Sequence, residues 1–144
     1  MSNTLLQNFM RVAHDITKAE RAFAVDMNLT VIGTLDITPE TIEATYLKCV
    51  QNAINENKSI ITDNLTMSID PSKAPITNQS FPKLRFVVVV PLAGYGAICM
   101  DQGLRGGVTS KEKVDRLEKL VHQALENPQI GEDEDTLMQA YNAL

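Results

Sequence analysis

The sequence contains few of the side chains that usually carry chemistry at a protein site. It has two histidines and two cysteines. Neither His14 nor His122 has a cysteine, histidine or acidic partner at the spacing of metal ligands, which argues against a metal centre. The sequence also lacks a Gly-Lys-Ser/Thr loop and a Gly-x-Gly-x-x-Gly turn that opens a helix directly after a strand, so both phosphate fingerprints are absent. No serine lies in a nucleophile elbow. No cofactor is therefore predicted, and no enzyme class is indicated by a motif.

The sequence also lacks an excess of basic residues and a long apolar run. Lys and Arg number 13 against 18 Asp and Glu, which gives a net charge of −5. Nucleic-acid binding depends on neutralising phosphates, so such a chain is a poor candidate for it. No apolar run approaches the ~20 residues of a membrane span, and polar residues interrupt the N-terminal segment where a signal peptide would be apolar. We expect a cytoplasmic protein without membrane or nucleic-acid contacts, in which Cys49 and Cys99 are buried thiols.

The spacing of apolar residues predicts alternating helices and strands in the first half of the chain. Thr38 and Pro39 have the residue types that begin a helix. Five acids, Asp101 among them, fall at predicted strand ends or in loops, where acids commonly cap turns. The predicted elements are a helix over 4–18, strands over 22–26 and 29–36, a helix from Pro39 to about residue 55, and a strand over 59–62.

The second half begins with a segment that contains three prolines and shows no clear periodicity. This segment, residues 63–83, is long for a connection in a compact domain, and such segments are often functional. Strands are predicted over 84–92 and 95–101, and Thr109 with Glu112 forms a capping box for a helix over 110–126. We therefore expect one domain over residues 1–127. Residues 128–144 would form a C-terminal helical tail or the start of a linker.

These elements predict an α+β fold. The strands form a central antiparallel sheet of five to six strands, with the terminal helices on one face and a long loop or helix covering the other. Leu120 and Ala124 widen the apolar stripe of the last long helix beyond what one sheet face needs.

Three stretches of the sequence together resemble a GAF domain, a family of sensory and regulatory domains. They are "DITKAERAFAVDMNLTVIGTL", "KSIITDNL" and "LRFVVVVPLAGYGAICMDQGLRGGVTSKEKVDRLEKLVHQAL", and the resemblance covers roughly residues 5–126. Within the third stretch, Val90, Pro91, Leu92, Gly96, Asp101 and Thr109 take the places of the family's most recognisable positions. The sequence departs from the family at Val108, where Phe is common, and it lacks the Asn-Lys…Phe…Asp-Glu signature of members that bind cyclic nucleotides.

The resemblance implies a non-catalytic regulatory domain in signal transduction that binds a small molecule, forms a dimer, or does both. Its pocket would lie between the sheet and residues 63–83. The candidate ligand-binding residues are Asp63, Asn64, Ser80, Phe81 and Arg85, and the guanidinium of Arg85 suits an anion. Residues 63–83 contain neither cysteine nor histidine, so no covalent bilin and no haem are expected.

The resemblance also implies a homodimer through residues 4–18 and 110–126. One alternative is a pure dimerisation or interaction module that binds no ligand. A second alternative is a small thiol enzyme with a GAF fold, such as a free methionine sulfoxide reductase. The placement of Cys49 and Cys99 disfavours this enzyme, because they do not match its clustered cysteines.

Overall fold

A computed structural model describes residues 4–42, 44–62, 85–103 and 111–144, with the backbone alone at 45, 62, 85, 86 and 103. The helices are α1 (Thr4–Thr17), α2 (Ala44–Glu56), α3 (Lys111–Glu126) and α4 (Glu134–Asn142). The strands are β1 (Arg21–Asp26), β2 (Val31–Leu35), β3 (Ile60–Thr62), β4 (Arg85–Leu92) and β5 (Gly96–Gly103). Short 3₁₀ helices at Pro39–Thr41 and Pro128–Glu132 precede α2 and α4.

The strands form one five-stranded antiparallel sheet in the order β2-β1-β5-β4-β3. A tight turn joins β4 to β5, and Gly94 and Gly96 adopt positive φ angles there of 82° and 149°. A Cβ atom at Gly96 would lie 1.9 Å from the carbonyl oxygen of Val25 on β1. Glycine is thus required at residue 96 both by its φ angle and by the close approach of β1.

Helices α1, α3 and α4 cover one face of the sheet. Side chains alternate between the two faces of a strand, and this face receives the even-numbered residues of β1, β4 and β5. The main buried cluster on this side joins these strand residues to apolar residues of all three helices; it includes Leu6, Phe9, Ala24, Val90, Ile98, Met100, Leu117, Leu120 and Leu137.

Helix α2 covers the opposite face. The odd-numbered residues of the same strands point to it and form a second, smaller buried cluster. The members of this cluster are Phe23, Val25, Tyr46, Cys49, Val50, Ala53, Val87, Val89, Ala97 and Cys99. The two clusters confirm the predicted arrangement, with the terminal helices on one face and a helix on the other.

Two predicted elements begin more than one residue away from the observed start, and each difference has a local cause. Thr38 and Pro39 begin a 3₁₀ helix, and α2 starts only at Ala44. Strand β2 starts at Val31 instead of Leu29, because the Asp26 carboxylate accepts hydrogen bonds from the backbone N–H groups of residues 28 and 30. Leu29 takes a left-handed conformation in that turn, with a φ of 64°.

The C-terminal segment packs against the helices of the larger cluster. Leu137 is fully buried in it, and the Asn8 side chain of α1 donates a hydrogen bond of 2.9 Å to the carbonyl of Gly131. Arg116 of α3 donates to the Tyr141 carbonyl at 2.9 Å and lies 4.4 Å from the centre of the Tyr141 ring. The predicted domain boundary at residue 127 stays a prediction. Within the described residues, no helix is both long enough and apolar enough to cross a membrane.

Candidate functional site

Most of the ligand-binding residues predicted from the sequence lie outside the described residues. These are Asp63, Asn64, Ser80 and Phe81. Arg85 is the first residue of β4, and its backbone pairs with Gly103 of β5. The proposed anion contact of its side chain stays a prediction.

The described residues do contain a buried polar cluster on the α2 face, formed by Arg21, Tyr46 and Asp101. Arg21 and Asp101 are register partners on the neighbouring strands β1 and β5, and Tyr46 lies in the first turn of α2. Arg21 donates from Nε to Asp101 Oδ1 at 2.9 Å and from Nη2 to Oδ2, so the contact is bidentate. The Tyr46 hydroxyl donates to Asp101 Oδ2 at 2.6 Å. The cluster therefore ties the start of α2 to two strands of the sheet.

Burial and mutual contact fix the charges of this cluster. The Asp101 side chain is only 3% exposed and that of Arg21 is 29% exposed. The hydrogen bonds from Arg21 to Asp101 raise the pKa of the guanidinium, opposing the effect of its burial. Burial, followed by the Asp101 charge, raises the pKa of the Tyr46 phenol. Arg21 stays charged and Tyr46 stays neutral at ordinary pH, so neither side chain suits general acid–base catalysis, which needs a pKa near the working pH.

The cluster lies at the end of the sheet where β3 ends and β4 begins. Asp101 pairs with Val87 of β4, and Val87 pairs with Thr62, the last residue of β3. Residue 63 follows Thr62 directly, and Arg85 begins β4 at this end. The backbone thus attaches both ends of the 63–84 segment to the sheet end that carries the cluster.

A narrow cavity adjoins the cluster. Arg21, Tyr46 and Asp101 form its polar side, and Phe23, Ile37 and Cys99 contribute apolar wall. The space between these side chains, about 140 Å³, is nowhere wide enough for a water molecule. A ligand could therefore enter only if α2 or the residues before it moved.

Cys49 and Cys99 are buried in the cluster on the α2 face, and neither forms a disulfide. Burial raises the pKa of Cys49 to about 11. Burial, together with the nearby Asp101 carboxylate, raises the pKa of Cys99 well above its usual value. The thiolate is the reactive form of cysteine, so both residues are poor nucleophiles at neutral pH. Among the described residues, no group of three or more His, Cys, Asp and Glu side chains could hold a metal ion.

The sequence-based prediction missed Arg21 and Tyr46 and misassigned Asp101. Asp101 was expected to cap a turn, but it is buried within β5 and paired with Arg21. Asp26 does cap its turn as expected. The signal available in the sequence was an arginine at the start of one strand and an acid near the end of another, both of which the GAF resemblance contains.

Comparison with solved structures places this architecture among GAF domains. The structure is similar to that of a GAF domain/HD domain protein from Geobacter sulfurreducens, with a TM-score of 0.60 and 12% sequence identity over 88% of this chain and 91% of that chain. No protein-family model and no curated protein sequence matches the chain. The chain has a GAF-like fold, and at this level of identity the likeness concerns the fold alone.

Proposed function

We propose that the chain is a non-catalytic regulatory domain that binds a small molecule on the α2 face of its sheet. The observation that carries this proposal is the Arg21–Tyr46–Asp101 cluster beside a closed cavity. Binding sites usually combine apolar walls with a few placed polar groups, and this cavity has both. The GAF-like fold supports a regulatory role by analogy with its structural neighbour.

The proposed mechanism is a shift between two positions of α2. In the described position, the Tyr46 hydroxyl contacts Asp101 and the cavity is closed. A ligand that fits only the opened cavity would bind only the second position, and so would move the population toward it. No bond is made or broken in this mechanism. The buried, protonated thiols support it over a thiol reductase.

The test is the mass of whatever small molecule the purified protein retains. We expect native mass spectrometry to show a bound compound that denaturation releases. Ile37→Trp narrows the cavity at a half-buried lining residue and should abolish retention. The matched control is Ile32→Trp on β2, a half-buried residue that packs against the other cluster and should leave retention unchanged.

If the wild-type protein retains no compound and no member of a metabolite panel raises its melting temperature, the ligand-binding proposal is wrong. The interaction module without ligand would then be favoured. Turnover of free methionine sulfoxide that depends on Cys49 or Cys99 would favour the reductase instead.

A further inference from the structure

A second cleft lies at the C-terminal end of β4, where β4 extends past the first residue of β3. The pairing of β3 begins with Ile60 opposite Val89, so the last residues of β4 extend past it. Helix α2 ends at Glu56 on one side of this edge, and α3 runs along the other. The cleft between them has a volume of about 170 Å³. It is lined by Asn57, Pro91, Ala93, Glu118, Val121, His122 and Leu125.

Part of the cleft wall is apolar and consists of buried or half-buried side chains. Pro91 and Val121 are buried, and Leu125 is half-buried against the larger cluster. Proline lacks an N–H donor and is found in sheets at edges, and Pro91 lies where β3 no longer accompanies β4. A cavity of about 150 Å³ lined by apolar side chains can hold a benzene ring. This cleft is therefore large enough for one small ring or a short branched chain.

The polar groups of the cleft favour a positive charge. Glu118 is half-buried, and its Oε2 atom accepts a hydrogen bond of 3.2 Å from the backbone N–H of Ser59. That bond fixes the carboxylate, and a carboxylate has lone pairs for further donors. His122 lies one helical turn further along α3. Among the described residues that line the cleft, none is Lys or Arg.

The end of α2 adds to this polarity. Asn57 follows the last residue of α2 and adopts a left-handed conformation with a φ of 52°. The C-terminal end of a helix carries partial negative charge and favours cations. The Asn57 amide oxygen is a hydrogen-bond acceptor, which an ammonium group requires.

We propose that this cleft binds a small organic ammonium compound. The hydrocarbon part of the compound lies against Pro91, Val121 and Leu125, and its charged nitrogen donates to Glu118. The site is separate from the Arg21–Tyr46–Asp101 cluster, which lies toward the opposite end of β4. An anion is disfavoured by Glu118, and a neutral hydrocarbon would leave that carboxylate without a charged partner.

The experiment is an NMR titration of the full chain with benzylammonium chloride, and with benzyl alcohol as a probe of similar shape without the charge. We expect saturable amide shifts at Ala93, Val121 and Leu125 with benzylammonium. The alcohol should bind at least about ten-fold more weakly, because hydrogen bonds to charged groups are the stronger ones.

Two variants test the site itself. Glu118→Gln keeps an oxygen that can accept from Ser59 N–H but removes the charge, and should weaken benzylammonium binding about ten-fold or more. Glu126→Gln removes an exposed acid of the same helix that does not line the cleft, and should leave binding unchanged. Ala93→Leu fills the cleft from an exposed turn position and should reduce the binding of both probes.

The proposal is overturned by any of three results in these titrations, or by binding at the other site. They are the absence of saturable shifts in these residues, equal affinities for the two probes, and equal affinities of the wild type and Glu118→Gln for benzylammonium. Shifts centred on Arg21 and Tyr46 would also overturn it, because they would place the probe at the other site.

Discussion

The two faces of the sheet are both covered by helices, but they bury different kinds of side chain. The face under α1, α3 and α4 is a large and almost wholly apolar cluster. Two of its buried polar residues, Asn8 and Thr17, each donate to a backbone carbonyl, and Gln102 of β5 is a further buried polar residue on this side. The face under α2 has a smaller cluster that includes a buried phenol and two thiols, and a buried ion pair adjoins it.

This difference indicates how stability and function divide between the faces. Apolar burial stabilises a fold directly, whereas a buried ion pair must first overcome the loss of hydration and is often no better than an apolar replacement. Helix α2 is also the one described helix on its face, while three helices support each other on the opposite face. We therefore expect α2 to be displaced at a lower cost in free energy than α1 or α3.

The largest loss of stability is expected when one partner of the Arg21–Asp101 ion pair is removed. Arg21→Met leaves the Asp101 carboxylate buried without its cation, which should lower the free energy of unfolding by about 3–5 kcal/mol. The value should lie toward the lower end, since the Arg21 side chain is 29% exposed. Urea unfolding at neutral pH measures the change. The triple variant Arg21→Met/Tyr46→Phe/Asp101→Leu removes the whole cluster and should recover most of the loss. A cost below about 1 kcal/mol for the single variant would mean that the ion pair between β1 and β5 contributes little to stability.

The next largest loss of stability is expected from a substitution on the apolar face. Leu137→Ala in α4 removes a fully buried side chain and should cost about 2–4 kcal/mol, through lost burial and the cavity left behind. The half-buried neighbour Met138 provides the control, and Met138→Ala should cost less. The same denaturation curves test whether the tail belongs to the domain: if Leu137→Ala left the main transition unchanged, residues 128–144 would fold independently of it.

A smaller effect is expected at alkaline pH and concerns the α2 face. The folded-state pKa of Cys49 is about 11 against a reference of 9.0, and that of Cys99 is also raised well above 9.0. Between these values the unfolded chain loses its thiol protons while the folded chain keeps them. Stability is therefore unaffected below about pH 8 and falls above pH 9, by up to about 1.4 kcal/mol per pH unit for each thiol.

The double variant Cys49→Ala/Cys99→Ala tests this assignment. It should cost about 1–3 kcal/mol at pH 7 through lost packing, yet its stability should fall less steeply from pH 9 to pH 10.5. Parallel pH curves for the wild type and the variant would show that other groups cause the alkaline loss. A signalling readout that disappeared in a folded double variant would instead support a thiol-dependent activity.

The sequence allowed most of the apolar face to be predicted, because periodicity reports burial directly. The spacing of Leu5, Phe9, Val12 and Ile16 predicts a helix over 4–18, and α1 spans Thr4–Thr17. The valine-rich run from Leu84 predicts a buried strand, and β4 begins at Arg85. In both cases the apolar residues that set the local pattern are also the residues that tertiary packing buries.

The polar cluster could not be predicted in the same way. Arg21 and Asp101 are 80 residues apart in sequence, and only the β1–β5 register makes them partners. Tyr46 lies on the apolar stripe of its helix, where an aromatic residue indicates packing and not a hydrogen bond to a buried acid. The wide apolar stripe of α3 has a related explanation. Leu120 and Ala124 widen it beyond what one sheet face needs, and both are fully buried in the larger cluster of the same chain.

The smallest change in stability is expected for a test of the predicted homodimer. Since Leu117 and Val121 are buried within one chain, charges placed there would unfold the protein and would not report on association. Arg11 and Lys119 are exposed residues of α1 and α3, and the salt bridge from Arg11 to Glu134 spans 4.0 Å between half-exposed side chains. Such surface pairs contribute about 0–1 kcal/mol, so Arg11→Glu/Lys119→Glu should barely change the unfolding curve.

If residues 4–18 and 110–126 form the interface, the reversed charges should shift sedimentation from dimer toward monomer. Lys48→Glu, on the exposed side of α2, should leave the dimer intact. A wild-type chain that sediments as a monomer at high concentration would show that the dimer prediction is wrong, and the polar outer sides of α1 and α3 would then be ordinary solvent-facing surface.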